Sequence, residues 1–139
     1  MKWVTWEHVA VDRMACAWLI KKYVDPKAEF LFVPVGSKSF PKGAEPFDIP
    51  GARYSHHRGH CTFYTFLKEN KLDDPILARI AQIVDEADIA QEVSVEPAAA
   101  GLDLICRGLR RTSKDDIEAL ERGRLVYEAL YAEVSVGEI

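Results

Sequence analysis

The sequence predicts an α+β fold that is mostly helical, with a few short strands in the N-terminal half packed against a C-terminal helical layer. Strand-like alternation and short apolar runs occur only in the first half of the chain. The second half carries three long segments with apolar residues at helical spacing. A chain of 139 residues is long enough for one compact core, so we expect a single domain over 1–139.

The first half is expected to contain two strands, a helix and a long loop. Bulky and polar side chains alternate in KWVTWE at 2–7, which predicts a strand. Asp12 is placed to cap a helix that ends before Pro26. EFLFVPV at 29–35 is apolar enough to predict a strand buried on both faces. The segment 36–52 is rich in Pro and Gly and predicts a surface loop.

The chain after this loop is expected to become helical. RYSH at 53–56 predicts a short strand, and Thr62 is placed to cap a small helix. Three longer helices are then expected, the first starting at Asp74 and Pro75. The cap of the last helix is assigned to Ser113. The apolar stripe expected on the middle one comprises residues 98, 102, 105, 106 and 109.

Charge and sequence pattern argue against several classes of function. A formal net charge of −4 gives no electrostatic reason to expect nucleic-acid binding by this domain. No apolar run approaches the roughly 20 residues of a membrane span, and the N-terminus lacks the apolar core of a signal peptide. The three cysteines are widely spaced, which suits a reducing compartment better than a disulfide framework. We therefore expect a cytoplasmic protein with no membrane or nucleic-acid partner.

Residues 55–61, SHHRGHC, hold three of the four histidines and raise the question of a metal site. Asp48 and Asp88 lie near segment ends, where a partner cation would explain the carboxylate at 88. The candidate ligands are His56, His57, His60, Asp48 and Asp88. No established metal spacing is present. The segment is therefore either an exposed histidine-rich turn or part of a site for a divalent metal ion of unknown identity.

The segment DRMAC at 12–16 is the second candidate site. Arg13 would lie in the first turn of a helix, where the helix dipole disfavours a cation. It is explained if it faces a carboxylate such as Asp48 or Asp88, or an oxyanion bound at the helix N-terminus. Asp12 and Cys16 would share that oxyanion site, whose positive field would favour the thiolate. The alternative is that Asp12 is only a cap and Cys16 is packed in the core.

Several blocks of sequence resemble the C-terminal domain of the chromate-resistance ChrB family. They are DRMACAWLI, DPKAEFLFVP, FDIPG with a following histidine, CTFYTFL and LDDPIL. The resemblance covers residues 3–132 and implies a single-domain member linked to chromate tolerance, alongside a chromate transporter and chromate-sensing regulators. The matching polar and thiol positions are Asp12, Arg13, Cys16, Asp48, His56, Cys61 and Asp88. Ala17 and RGH at 58–60 depart from the expected family pattern.

These observations favour a cytoplasmic domain associated with chromate resistance and detoxification, a stress response. It would bind a chromate- or sulfate-like oxyanion, a divalent metal ion or both, as an accessory or sensing protein. One alternative is a metal- or thiol-dependent redox enzyme that acts on Cr(VI), with Cys16 or Cys61 as electron donor. Another is an interaction module for a transporter or regulator, with an apolar patch near Trp3, Trp6 or residues 40–50. Whether any reaction is catalysed stays open.

Overall fold

The computed structural model describes residues 1–137. The fold is α+β and mostly helical, as predicted, with three short strands in the N-terminal half. Its elements are β1 (Lys2–Trp6), α1 (Val11–Leu19), β2 (Glu29–Val33), β3 (Ala44–Pro46), α2 (Thr62–Glu69), α3 (Pro75–Asp88), α4 (Ala98–Thr112) and α5 (Asp116–Ser135). A π-helical turn, Ile20–Val24, extends α1. Within residues 1–137, none of the helices combines the length and apolar character needed to cross a bilayer.

The three strands form a parallel sheet with β1 in the centre. Trp3 of β1 lies opposite Phe30 of β2 and Glu45 of β3. The strand β3 falls inside the predicted loop 36–52, and its three residues are too few to give an alternation signal. The prediction that β2 is buried on both faces is wrong, because β2 is an edge strand whose residues are half-buried or exposed.

Helix α1 forms the centre of the core, and eight of its nine residues are buried. Trp18 stacks on Phe63 of α2 and on Tyr127 of α5, with ring centroids 6.4 and 5.9 Å away. The Tyr127 hydroxyl donates a hydrogen bond to the Val11 carbonyl at 2.6 Å. These contacts fix the first turn of α1, from which two candidate site residues project.

Of the two predicted caps in the second half of the chain, the structure has the one at α3 and not the one at α5. Asp74 accepts a hydrogen bond from the Ile76 N–H, and Pro75 opens α3, as expected. The cap of α5 is Asp115, and the prediction of Ser113 is wrong. The Ser113 hydroxyl instead donates to the Leu109 carbonyl at the end of α4.

Five further predictions differ from the structure. Asp12 does not cap α1, whose N-cap is Ala10 and makes no side-chain cap bond. Thr62 is the first residue of α2 and not its cap. Residues 53–56 form a bent segment with one isolated bridge and no strand. Ile105 is 55% exposed, whereas Trp3, assigned to a surface patch in the interaction-module alternative, is only 3% exposed.

Gly123 in α5 provides a test of helix packing. A Cβ atom at this position would lie 2.9 Å from Met14 Sδ and 3.2 Å from Met14 Cβ. Gly123→Ala is therefore expected to destabilise the domain by about 1–3 kcal/mol through overpacking, although alanine favours a helix. Gly108→Ala in α4 is the matched control, because its Cβ would meet nothing within 4 Å. Urea unfolding should show stabilisation for the control alone; stabilisation of both variants would contradict this packing.

Candidate functional site

The candidate site lies where strands β1 and β3 end. Asp12 and Arg13 belong to the first turn of α1, which follows β1, and Asp48 closely follows β3. His56 comes from the segment between β3 and α2, and Asp88 is the last residue of α3. The crevice outside the carboxyl ends of parallel strands is the usual ligand position in open sheets. Residues distant in sequence therefore meet at this edge.

The His56 imidazole lies among three carboxylates. Its Nε2 atom is 3.1 Å from Asp12 Oδ2, 3.4 Å from Asp48 Oδ1 and 3.1 Å from Asp88 Oδ2. Ligand atoms of Asp12, Asp48 and His56 all lie within 4.8 Å of one another, as in a group that could hold a metal ion. We call the four residues Asp12, Asp48, His56 and Asp88 the acidic cluster. Carboxylate oxygens and an imidazole nitrogen around one point are suitable ligands for a divalent cation.

Asp12 is held in place by the N-terminus of α2. Its Oδ2 atom accepts the Thr62 N–H at 2.8 Å, and its Oδ1 atom accepts the Phe63 N–H at 3.0 Å. The side chain is 2% exposed. Asp12 thus supplies, from α1, the cap that Cys61 does not provide for α2. This rigid position fixes one carboxylate of the cluster before any ligand binds.

The surroundings of Asp12 and His56 raise the pKa of both side chains. Burial, followed by the charge of Asp48, raises the pKa of Asp12 to about 7. Hydrogen bonds to Asp12, Asp48 and Asp88 raise the pKa of His56 to about 12. His56 is therefore an imidazolium at neutral pH, and its Nε2 proton supplies positive charge among the carboxylates.

Asp48 is held by Arg13 and by the start of α2. Arg13 Nε lies 3.2 Å from Asp48 Oδ2 and also donates to Thr5 Oγ1 at 3.0 Å. Arg13 Nη2 donates to the Asp48 carbonyl, and the Thr62 hydroxyl donates to Asp48 Oδ1 at 2.6 Å. Asp48 has φ +55°, a left-handed conformation that costs energy for a residue with a side chain. Arg13 was expected to face either a carboxylate or a bound oxyanion. In the structure its partner is the carboxylate of Asp48.

A cavity of about 480 Å³ opens beside the acidic cluster. Its lining includes all four cluster residues together with Arg13. Trp6, Ile49 and Pro50 add an apolar wall, and the Arg13 guanidinium lies 5.8 Å from the centre of the Trp6 ring. The cavity therefore offers space for a small ligand in direct contact with the charged groups.

The other two histidines of residues 55–61 lie outside the cluster. His57 Nε2 is 3.0 Å from the Arg53 carbonyl oxygen. His60 Nδ1 is 2.8 Å from Asp85 Oδ2. Of the metal ligands predicted from sequence, the structure brings together Asp48, His56 and Asp88 and leaves His57 and His60 apart. Asp12, which the sequence suggested as an oxyanion-binding residue, completes the cluster.

Cys16 and Cys61 are buried free thiols. The Cys16 thiol donates to Asp12 Oδ1 at 3.5 Å, and the Cys61 thiol donates weakly to the Ala81 carbonyl at 3.9 Å. Burial, followed by the charge of Asp12, raises the pKa of both thiols well above the usual value. The expectation that a positive field favours the Cys16 thiolate is wrong, because the nearest charged group is a carboxylate. Neither cysteine lines the cavity.

Together these features define a small α+β domain in which three carboxylates converge on one histidine at the carboxyl edge of a parallel sheet. The family description "ChrB, C-terminal domain" matches residues 3–134. The chain belongs to this family, as the sequence blocks predicted. Protein ChrB of Cupriavidus metallidurans is 33% identical over 135 residues, which cover 96% of this chain and 41% of that relative. The chain thus spans about two fifths of the relative's length. No solved structure matches the chain.

Proposed function

We propose that the acidic cluster binds a divalent metal ion and that the domain is an accessory or sensing module in chromate resistance. The observation that supports this most is the approach of three carboxylates to a single imidazole nitrogen, at 3.1–3.4 Å. Membership of the ChrB family associates the chain with chromate resistance. The proposed compartment is the cytoplasm, because three free cysteines suit a reducing environment.

The ligand set favours a first-row divalent ion of intermediate hardness, such as Zn²⁺, Ni²⁺, Co²⁺ or Mn²⁺. Such an ion would take the place of the His56 Nε2 proton, because only the neutral imidazole coordinates a metal. It would also neutralise repulsion among Asp12, Asp48 and Asp88 more effectively than one proton does. Soft ions that require thiolate ligands are disfavoured, since no cysteine lines the cavity.

In this proposal an oxyanion enters the cavity as a ligand of the bound metal ion. Arg13 is already engaged by Asp48, and three carboxylates repel a free anion. A bound divalent ion would make the net charge around the cavity favourable for an anion, and the Arg13 guanidinium would add positive charge. Asp12 would act as metal ligand and Cys16 would act only through its hydrogen bond to Asp12.

Calorimetric titration of the metal-free chain with Zn²⁺ and Ni²⁺ tests the metal site. We expect one ion to bind per chain and His56→Gln to weaken binding at least about tenfold, as even loss of an outer-shell partner does. His57→Gln is the matched control, because this neighbouring histidine contacts the Arg53 carbonyl and not the cluster. Equal affinity in wild type and His56→Gln, or equal loss in both variants, would contradict the proposal.

Titration with chromate tests the proposed order of binding. In the metal-loaded chain, addition of chromate should change the NMR resonances of the acidic cluster. Asp48→Asn should abolish this change together with metal binding. In the metal-free chain, the same cluster should show no change in its NMR resonances on addition of chromate. Chromate-dependent shifts of the His56 ring in metal-free protein would contradict the order.

The two alternative functions differ in their structural support. An interaction with a regulator or transporter is favoured by Leu104 and Ile105 of α4, which are 69% and 55% exposed. A redox role for Cys16 or Cys61 is less favoured, because buried protonated thiols are poor electron donors. Alkylation rates of these thiols against pH would test the redox alternative.

A further inference from the structure

A second cavity, of about 490 Å³, shares no lining residue with the first. It lies between the turn after His56 and the exposed face of α2, and Arg58, His60, Tyr64 and Lys68 contribute to its wall. Nothing in the proposed cation site uses these side chains. The cavity therefore needs an explanation of its own.

The wall of this cavity is basic, although the chain as a whole is acidic. His57, Arg58, His60 and Lys68 all line it, against the single carboxylate of Glu69. Glu69 lies 3.5 Å from the Arg53 guanidinium Nε. Among residues 1–137, Arg58 and Lys68 form no ion pair with a carboxylate. Two cations are thus available to a ligand.

His60 is the ordered element of the wall. Its Nδ1 lies 2.8 Å from Asp85 Oδ2, and the other oxygen of this buried carboxylate accepts the Cys61 N–H at 2.7 Å. The imidazole also stacks on the Tyr64 ring, with centroids 3.8 Å apart. Because Nδ1–H is engaged by Asp85, Nε2 is the ring nitrogen left for a ligand. The hydrogen bond at Nδ1 and the stacked Tyr64 ring thus fix the orientation of the imidazole before a ligand binds.

Lys68 is placed near the same stacked pair. It lies one helical turn after Tyr64 on α2, and its Nζ is 5.2 Å from the centre of the Tyr64 ring. The ammonium group and the imidazole therefore both lie near the Tyr64 ring, and both line the second cavity. Lys68 and Arg58 give this cavity its positive charge.

We propose that this second cavity binds a tetrahedral oxyanion of the phosphate or chromate type through His60 Nε2, Arg58 and Lys68. Arginine and lysine bind the anionic oxygens. The neutral imidazole accepts the O–H of a protonated oxyanion, and the protonated ring donates to an anionic oxygen. This site shares no residue with the cavity beside Arg13, where the oxyanion of the proposed function depends on a bound metal ion. The proposal is independent of metal binding at the acidic cluster.

The test is calorimetric titration of the full metal-free chain with inorganic phosphate and with chromate, at constant ionic strength. We expect one anion to bind per chain and Lys68→Gln to weaken binding about tenfold, the effect of one charge-assisted contact. Lys114→Gln is the matched control, because this substitution removes the same charge at a residue that lines neither cavity. Addition of phosphate should shift the NMR resonances of His60 and Tyr64.

A second variant keeps the result separate from the cation site. His56→Gln should leave phosphate affinity unchanged, while Lys68→Gln should leave Zn²⁺ affinity unchanged. Absence of phosphate and chromate binding would overturn the proposal. Equal weakening by Lys68→Gln and Lys114→Gln would also overturn it, because the effect would then be general screening. Loss of anion binding in His56→Gln alone would place the anion at the acidic cluster and would overturn it as well.

Discussion

Replacing Asp12 with alanine is expected to destabilise the domain by about 2–4 kcal/mol and to abolish cation binding. The substitution leaves the Thr62 and Phe63 N–H groups without their acceptor at the buried start of α2. Loss of a helix cap costs about 0.5–2 kcal/mol, and an unpaired buried donor costs about 1–3 kcal/mol. Relief of repulsion between Asp12 and Asp48 offsets part of this cost. Urea unfolding of the metal-free protein measures the difference.

Asp12→Asn separates the structural role of this residue from its role as a ligand. The carboxamide oxygen can still accept one of the two N–H groups, so we expect a loss of only about 1 kcal/mol. Cation affinity should nevertheless fall to the level of Asp12→Ala, because the charge is absent. Unfolding of Asp12→Ala at the same urea concentration as wild type would contradict the capping role. Wild-type cation affinity in Asp12→Asn would contradict the role as ligand.

The affinity for a divalent ion is expected to rise about tenfold for each pH unit between about pH 7 and 8, and more steeply between about pH 6 and 7. Carboxylate hydrogen bonds raise the pKa of His56 to about 12, so the imidazole carries a proton throughout this range. The metal ion must displace that proton, and each rise in pH lowers the cost of its release. Asp12, whose pKa burial raises to about 7, adds to the dependence at the acid end. Dissociation constants for Ni²⁺ at several pH values measure the slope.

Proton release can also be measured directly. Calorimetry in two buffers with different ionisation enthalpies should give close to one proton released per ion at pH 8. His56→Gln is the control, since its residual binding should lose this alkaline dependence. An affinity that does not change from pH 6 to 8 would show that the ion binds away from His56.

The start of α3 was predictable from a local signal in the sequence. Asp74 followed by Pro75 is a typical helix start contained in two adjacent residues, and α3 begins there. Asp12 is different, because the N–H groups that it accepts belong to Thr62 and Phe63, about 50 residues later in the chain. In the sequence, Asp12 stands at the start of an apolar helix, so it was predicted to be an ordinary cap of α1. Only the packing of α1 against α2 gives the carboxylate its actual partner.

The candidate site was predictable in part. The histidines of SHHRGHC and the unfavourable position of the Asp88 carboxylate at a helix end both indicated a site for a cation. In the structure, His56 Nε2 lies 3.1 Å from Asp88 Oδ2. Sequence alone did not separate His56 from His60, because the turn at Gly59 directs the two imidazoles to different cavities. Asp85 was missed, since within an amphipathic helix it carries no local mark of its contact with His60.

The most direct test of the metal site is anomalous X-ray diffraction from crystals of the chain grown with Zn²⁺. We predict one strong anomalous peak within about 2.0–2.2 Å of His56 Nε2 and of carboxylate oxygens from Asp12 and Asp48. Asp88 should lie in the same coordination sphere or bond to a zinc-bound water. A peak at His57 or His60 alone, or an intact contact between the His56 imidazolium and Asp12 in crystals with zinc bound elsewhere, would contradict a metal site at the acidic cluster.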